Sequence, residues 1–213
     1  MSIEDGKYVQ QNNPAPPKIA NPGPLGLSGF ALTTFVLSIH NAGSSDVAAP
    51  NITVGLALFY GGLVQLLAGM WEFKTGNTFG ATAFSSYGGF WMSFAAILIP
   101  GFGISGSEGL AHAIGIYLLA WTIFTFLLFL ATFRSNVGIL LLFLFLTLTF
   151  LLLTIGVFTT EKTTPPEPAK IAIATKIGGV LGIITALIAW YNALAGLVTY
   201  ATIPTFDLSG KRD

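Results

Sequence analysis

Two amides, Gln65 and Asn192, stand inside long apolar runs, and a carboxylate, Glu72, closes one of those runs. In a dry medium an amide must find hydrogen bonds, from neighbouring helices or from a water-containing path. Gln65 and Glu72 lie at helical spacing with Gly61 and Ala68, so the four share one face. Gly55, Gly62 and Gly69 form a second small-residue stripe on the same run, and later Gly178, Gly182, Thr185 and Ala189 share a face with Asn192. Such stripes are close-packing seams in many membrane bundles. They suit equally a slim, uncharged, mildly polar pore, to which Ser85, Ser86 and Tyr87 would add hydroxyls. Glu72 also has two readings. It is a proton partner or structural tie at the mouth of that pore, or it pairs with nearby Lys74, an exposed pairing worth little.

Other chemistries lack their residues. The chain has no cysteine, which removes disulfides, thiolate chemistry and Cys-based metal sites. No metal-ligand cluster, no nucleophile beside a base and no phosphate loop is visible, so no enzyme, cofactor or metal is expected. The formal net charge is zero, which argues against a nucleic-acid partner. Pumps and voltage sensors carry ionisable groups deep in their helices. Here Lys176 sits at a helix edge, where it can snorkel. His112 lies close to the start of its helix and reads as an interfacial histidine before it reads as a proton relay.

The elements that position these residues follow from composition. Of 213 residues, 53% are hydrophobic and 8% charged, with mean hydropathy +0.75. Soluble domains carry about 25% charged residues. The apolar runs are continuous rather than alternating, which favours membrane helices over a barrel. The expected fold is all-α and polytopic, with six spans: Leu25 to Ile39, Ile52 to Trp71, Thr78 to Ile99, Leu110 to Phe133, Val137 to Phe158, and Ile171 to Ile203. Loops are expected at His40 to Asp46, Glu72 to Asn77, Arg134 to Asn136 and Glu161 to Pro168. Residues 1–20 read as a disordered polar tail, 21–203 as the membrane domain and 204–213 as a short tail. No cleavable signal is visible. Six of the nine Lys and Arg fall on the side of the two tails and the 2–3 and 4–5 loops, so both termini are expected in the cytosol.

The chain enters the first span through Asn21-Pro22-Gly23-Pro24-Leu25-Gly26-Leu27. Asn21 is a natural N-cap, and the prolines suit a first helical turn. Helix N-termini present free N–H groups and partial positive charge, which receive anions. With Phe59-Tyr60-Gly61-Gly62, Gln65, Glu72, Gly76-Asn77-Thr78-Phe79-Gly80, Thr82-Ala83-Phe84 and Ser86-Tyr87-Gly88, this stretch resembles the acetate uptake transporter family. Ala189-Trp190-Tyr191-Asn192-Ala193 looks more like its fungal branch. Gly23 departs from the Ala usual in the family.

That resemblance implies six helices per subunit, a homo-hexamer in a lipid bilayer, here the plasma membrane, and one narrow pore in each subunit. The pore would pass acetate and related small carboxylates, by anion conduction or proton symport. It implies a hydrophobic constriction of Phe30, Tyr87 and Leu146, and a substrate-range position at Ala189. Asn21, Leu25, Thr33, Gln65, Glu72 and Asn192 complete the expected pore residues. Apolar walls suit the methyl group of acetate, a few hydrogen bonds suit its oxygens, and the absence of deep fixed positive charge lets the anion leave. Two other readings stand beside transport of acetate: a membrane sensor or regulator of the acetic-acid response, and an ammonium exporter. No ring of carboxylates attracts a cation for the latter.

Overall fold

The computed structural model describes residues 2–4, 7–9, 19–43, 51–160 and 173–200. Two three-residue strands, β1 (Ser2–Glu4) and β2 (Lys7–Val9), pair antiparallel in the tail that the sequence gives no structure. Among the described residues everything else that is regular is helical: α1 (Gly23–Asn41), α2 (Ile52–Thr75), α3 (Thr78–Leu98), α4 (Leu110–Ala131), α5 (Val137–Thr160) and α6 (Ile173–Tyr200). Residues 44–46 of the expected His40 to Asp46 loop, the expected loop at Glu161 to Pro168, and the expected end of the last helix near Ile203 lie outside the described residues.

Among the described residues, five helices are long and apolar enough to cross a membrane. The chain is thus a multi-pass membrane protein. The exception is α3, which has 21 residues but dilutes its apolar content with Thr78, Gly80, Ser85, Ser86, Gly88 and Gly89. The bundle explains why it tolerates them, since α3 buries Gly80, Tyr87, Gly88, Phe90 and Trp91. Helix packing runs α3–α2–α1–α6–α5–α4. Small residues set these seams: a side chain at Gly69 would strike Ser85 of α3, one at Gly179 would strike the end of α1, and one at Gly115 would strike Phe158 of α5. The ring closes differently. Phe90 of α3 reaches Tyr117 and Trp121 of α4 and Phe150 of α5, with ring centroids 5.9, 5.1 and 5.2 Å away.

Several ends differ from expectation. His40 and Asn41 continue α1 instead of opening a loop. Glu72 to Thr75 continue α2, which stops only at Gly76, whose φ of 81° is left-handed and suits glycine. The α2 helix is also not uniform, since Phe59–Val64 form a π-helical turn. Arg134 ends a 3₁₀ turn, Thr132–Arg134, that extends α4.

Candidate functional site: a cavity with a polar mouth and an aromatic floor

A cavity of about 920 Å³ opens at one end of the bundle. Its lining takes residues from the starts of α1, α3 and α5 and from the ends of α2, α4 and α6. Alternate helices therefore begin at this end, as an up-and-down bundle requires.

Three asparagines at the mouth hold helix starts. Asn77 caps α3, its Oδ1 accepting from the Gly80 N–H at 3.0 Å. Asn136 accepts from the Ile139 N–H at 2.9 Å in the first turn of α5. Asn21 was expected at the cap of α1, but Pro22 occupies that place and its carbonyl accepts from Leu25 and Gly26. Asn21 works from one residue further out, accepting from the Gly23 N–H at 3.0 Å. Of the two N–H groups that an Asn21 cap would serve, those of residues 23 and 24, Pro24 lacks one, which leaves the Gly23 N–H for the asparagine. Each asparagine lines the cavity.

Glu72 sits between these starts and is buried. Its Oε2 accepts from Asn77 Nδ2 at 2.8 Å and from Thr75 Oγ1 at 3.2 Å. A Cβ added at Gly23, at the start of α1, would stand 3.4 Å from the other Glu72 oxygen, Oε1. A carboxylate is stabilised beside helix N-termini by their partial positive charge. The pairing with Lys74 is overturned in this arrangement: the Glu72 carboxylate turns inward to Asn77, and Lys74 stays exposed. Arg134 also lines the mouth and is exposed.

Deeper in, Gln65 is 1% exposed and faces the cavity, and its Oε1 has no hydrogen-bond partner among the described residues. Such a buried, unpaired polar atom costs about 1–3 kcal/mol. Beyond it the wall turns apolar. Phe30 and Tyr87 meet with centroids 5.8 Å apart, and Phe143 stands 6.3 Å from Tyr87. Leu146, one turn beyond Phe143 on α5, completes this patch and is 2% exposed. The Tyr87 hydroxyl is withdrawn from the cavity into a 2.9 Å hydrogen bond with Thr125 of α4. The floor therefore presents ring carbon and methyl groups.

Of the expected pore residues, Asn21, Phe30, Gln65, Glu72, Tyr87, Leu146 and Asn192 meet in this one cavity. Three do not reach it. Leu25 points outward and is 48% exposed, and Leu27, two positions on and across the helix, lines the cavity instead. Thr33 is fully buried in the α1–α2 seam, where it bonds the Gly29 carbonyl at 2.9 Å and packs against Gly61. Ala189 is fully buried in the packed core. The stripe on α6 is thus mainly a seam: Gly178 lies against α5 and Gly182 against Ser38 of α1, while Asn192 alone faces the cavity. Asn192 donates to the Ile188 carbonyl at 2.8 Å and packs on Gly138, so its hydrogen bond is found within the helix.

Sequence reasoning missed Asn77, Arg134, Asn136 and Phe143 as lining residues. Phe143 carries a usable signal, standing three residues before Leu146 on the same helical face. Arg134 and Asn136 read only as a turn, because nothing local shows that the 4–5 connection folds over the same opening as Asn21 and Glu72.

The chain matches the GPR1/FUN34/yaaH family over residues 6–210. It is 54% identical over 192 residues to the ammonia transport outward protein 2 of Saccharomyces cerevisiae, a match covering 87% of this chain and 64% of that one. It is 53% identical over 189 residues to acetate permease A of Emericella nidulans, covering 84% and 62%. The match therefore spans less than two thirds of either relative. The structure is similar to that of the bacterial acetate channel SatP, with a TM-score of 0.75 and 37% identity, covering 85% of this chain and 94% of that one.

Proposed function

Because the chain belongs to the GPR1/FUN34/yaaH family, we propose that it carries acetate and other short monocarboxylates across a membrane through a pore that begins at this cavity. The observation that carries this reading is the cavity's sequence of surfaces. Helix starts and mixed charge stand at the mouth, an unpaired amide at Gln65 follows, and the apolar patch of Phe30, Tyr87 and Leu146 closes the path. In this reading Gln65 hydrogen-bonds the carboxyl group while the patch accepts the methyl and acts as the constriction. Binding stays weak enough for release because no fixed charge stands at the patch.

The same reading takes α3 as the sixth span, puts both termini in the cytosol of a plasma-membrane protein and assembles six copies into a ring. The exposed apolar faces of α4 and α6, including Ile116, Ile123, Leu127, Leu187 and Leu194, suit lipid or a neighbouring subunit. A second reading is export of ammonia, favoured by the name of the yeast relative. Purified protein in liposomes tests both. Saturable uptake of radiolabelled acetate is expected, with little movement of methylammonium. Methylammonium flux without acetate flux would replace the first reading with the second, and binding of acetate with no flux of either would point to a sensor. Current under an acetate gradient then separates an anion path from proton-coupled, electrically silent entry.

A further inference from the structure

The buried positions of α2 keep an unusual period. One row is Thr53 and Ala57 before the π-helical turn, then Gly61, Gln65, Ala68 and Glu72, with Gly62 and Gly69 buried beside it against α3. An α-helix turns about 100° per residue, so unbroken α-helix from Thr53 to Glu72 would leave these two about 100° apart. The π-helical turn Phe59–Val64 takes up one extra residue. Its ladder runs over five residues, with the Gln65 N–H donating to the Tyr60 carbonyl. That extra residue cancels the drift and brings both halves of the helix onto one face.

Neighbouring helices clasp this turn on two sides. On α1, a Cβ at Gly29 would stand 2.8 Å from the Tyr60 carbonyl oxygen, and Thr33 packs directly on Gly61. On α3, a Cβ at Gly88 would stand 2.9 Å from the Gly62 carbonyl oxygen. A side chain at Gly62 would itself strike the Ala57 carbonyl, five residues back, and Met92 of α3.

We propose that the π-helical turn is the positioning element of the transport path. It sets the rotation of the second half of α2 so that Gln65 and Glu72 face the cavity, and Gly62 is the residue that lets it form. The assignment of a transport path rests on the reading above, whereas the rotation does not. Were the helix unbroken, Val64 and Trp71 would take the cavity-facing places and line the mouth with apolar groups.

Two length variants test this. Deleting Leu63, an exposed residue of the turn, leaves just enough chain for regular α-helix with Gln65 and Glu72 in phase. Inserting one alanine after Leu63 adds a second extra residue and turns both away. The chain lacks cysteine, so a Gln65→Cys substitution gives a single thiol whose reaction with a small water-soluble reagent reports rotation without reference to transport. Labelling is expected in the unaltered and Leu63-deleted chains. With the insertion it should fall by about tenfold or more, because a thiol in apolar surroundings stays protonated and unreactive. Acetate uptake, measured with Gln65 intact, should survive the deletion and be lost with the insertion. Unchanged labelling after the insertion overturns the proposal. So does loss of uptake in a folded deletion variant that still labels, since the turn would then act other than by positioning. Should the insertion variant fail to fold, Gly62→Ala keeps the length while opposing the turn; slowed labelling supports the proposal and unchanged labelling overturns it. An unaltered chain that labels but moves no acetate would remove the transport reading and leave the positioning result standing.

Discussion

The mouth and the floor of the cavity are built from opposite materials. At the mouth stand three asparagines holding helix starts, the buried Glu72 and the exposed Arg134. At the floor stand Phe30, Tyr87, Phe143 and Leu146, none more than 5% exposed. The mouth has fixed partial charges that interact with a carboxylate at a distance. The floor has none, and even its single hydroxyl is committed to Thr125. On the transport reading proposed above, recognition and discrimination are separated: the mouth would set how often a small acid arrives, and the floor would set how wide it can be. Changes at the floor should alter the ratio between acids, and changes at the mouth should alter all acids alike.

The largest effect is expected from Leu146→Ala. In a packed core that change costs roughly 2–5 kcal/mol. Leu146 borders the cavity, so water or substrate can fill the gap and the loss should fall toward the low end. Uptake of lactate relative to acetate should rise by on the order of tenfold, the scale on which a hydrophobic pocket distinguishes methylene-sized differences. Competing radiolabelled uptake in liposomes measures it. An unchanged ratio in a folded variant would remove Leu146 from the barrier.

Asn77→Ala should produce the largest effect at the mouth. It removes a cap worth about 1 kcal/mol and one of the two hydrogen bonds that Glu72 accepts through Oε2. A charged hydrogen bond contributes about 1.5–3 kcal/mol. Thermal unfolding should therefore come at lower temperature, and uptake of acetate and lactate should fall in parallel. A changed ratio between the two acids would mean that mouth and floor are coupled.

How much of this contrast the sequence discloses depends on the range of the signal. Gln65 and Glu72 are legible because helical spacing alone aligns them, and the Asn-Pro-x-Pro stretch announces the start of α1. Phe30, Tyr87 and Leu146 were reached through family resemblance, since an aromatic or leucine in an apolar helix carries no mark of facing a cavity. Ala189 and Thr33 show the converse: small and weakly polar residues look suited to a pore but serve helix seams as well, and only their packing, which leaves both outside the cavity wall, decides between the two. The π-helical turn was not foreseen. The spacing of Gly61, Gln65, Ala68 and Glu72 reads as ordinary helix, and only the burial of Thr53 and Ala57, at steps of four before them, shows the extra residue. The approach of Arg134 to Glu72's cavity is a tertiary fact with no local trace.

Glu72→Gln sharpens the mouth's role by keeping shape and removing charge. The amide can still accept from Asn77 through its oxygen, so the helix starts should stay in place and maximal uptake should change only a few-fold. If Glu72 exchanges protons with the substrate, the steep part of the pH profile of uptake should flatten. A profile superimposable on that of the unaltered protein would leave Glu72 as a structural tie between the starts of α1 and α3.

The smallest effect is expected from Arg134→Gln, and its form matters more than its size. Arg134 is exposed, so its influence on an approaching anion is long-range and screened by salt. The Debye length is about 30 Å at 0.01 M ionic strength and about 8 Å at 0.15 M. A guanidinium at the rim should therefore raise acetate arrival chiefly at low salt, by steering rather than by tight binding. Removing it should lower uptake at subsaturating acetate by two- to threefold at about 0.01 M salt and by little at about 0.15 M. The lactate-to-acetate ratio should not move, because both acids carry one charge past the same rim. An effect of equal size at both ionic strengths would instead mean that Arg134 touches the substrate, and the mouth would then bind as well as steer.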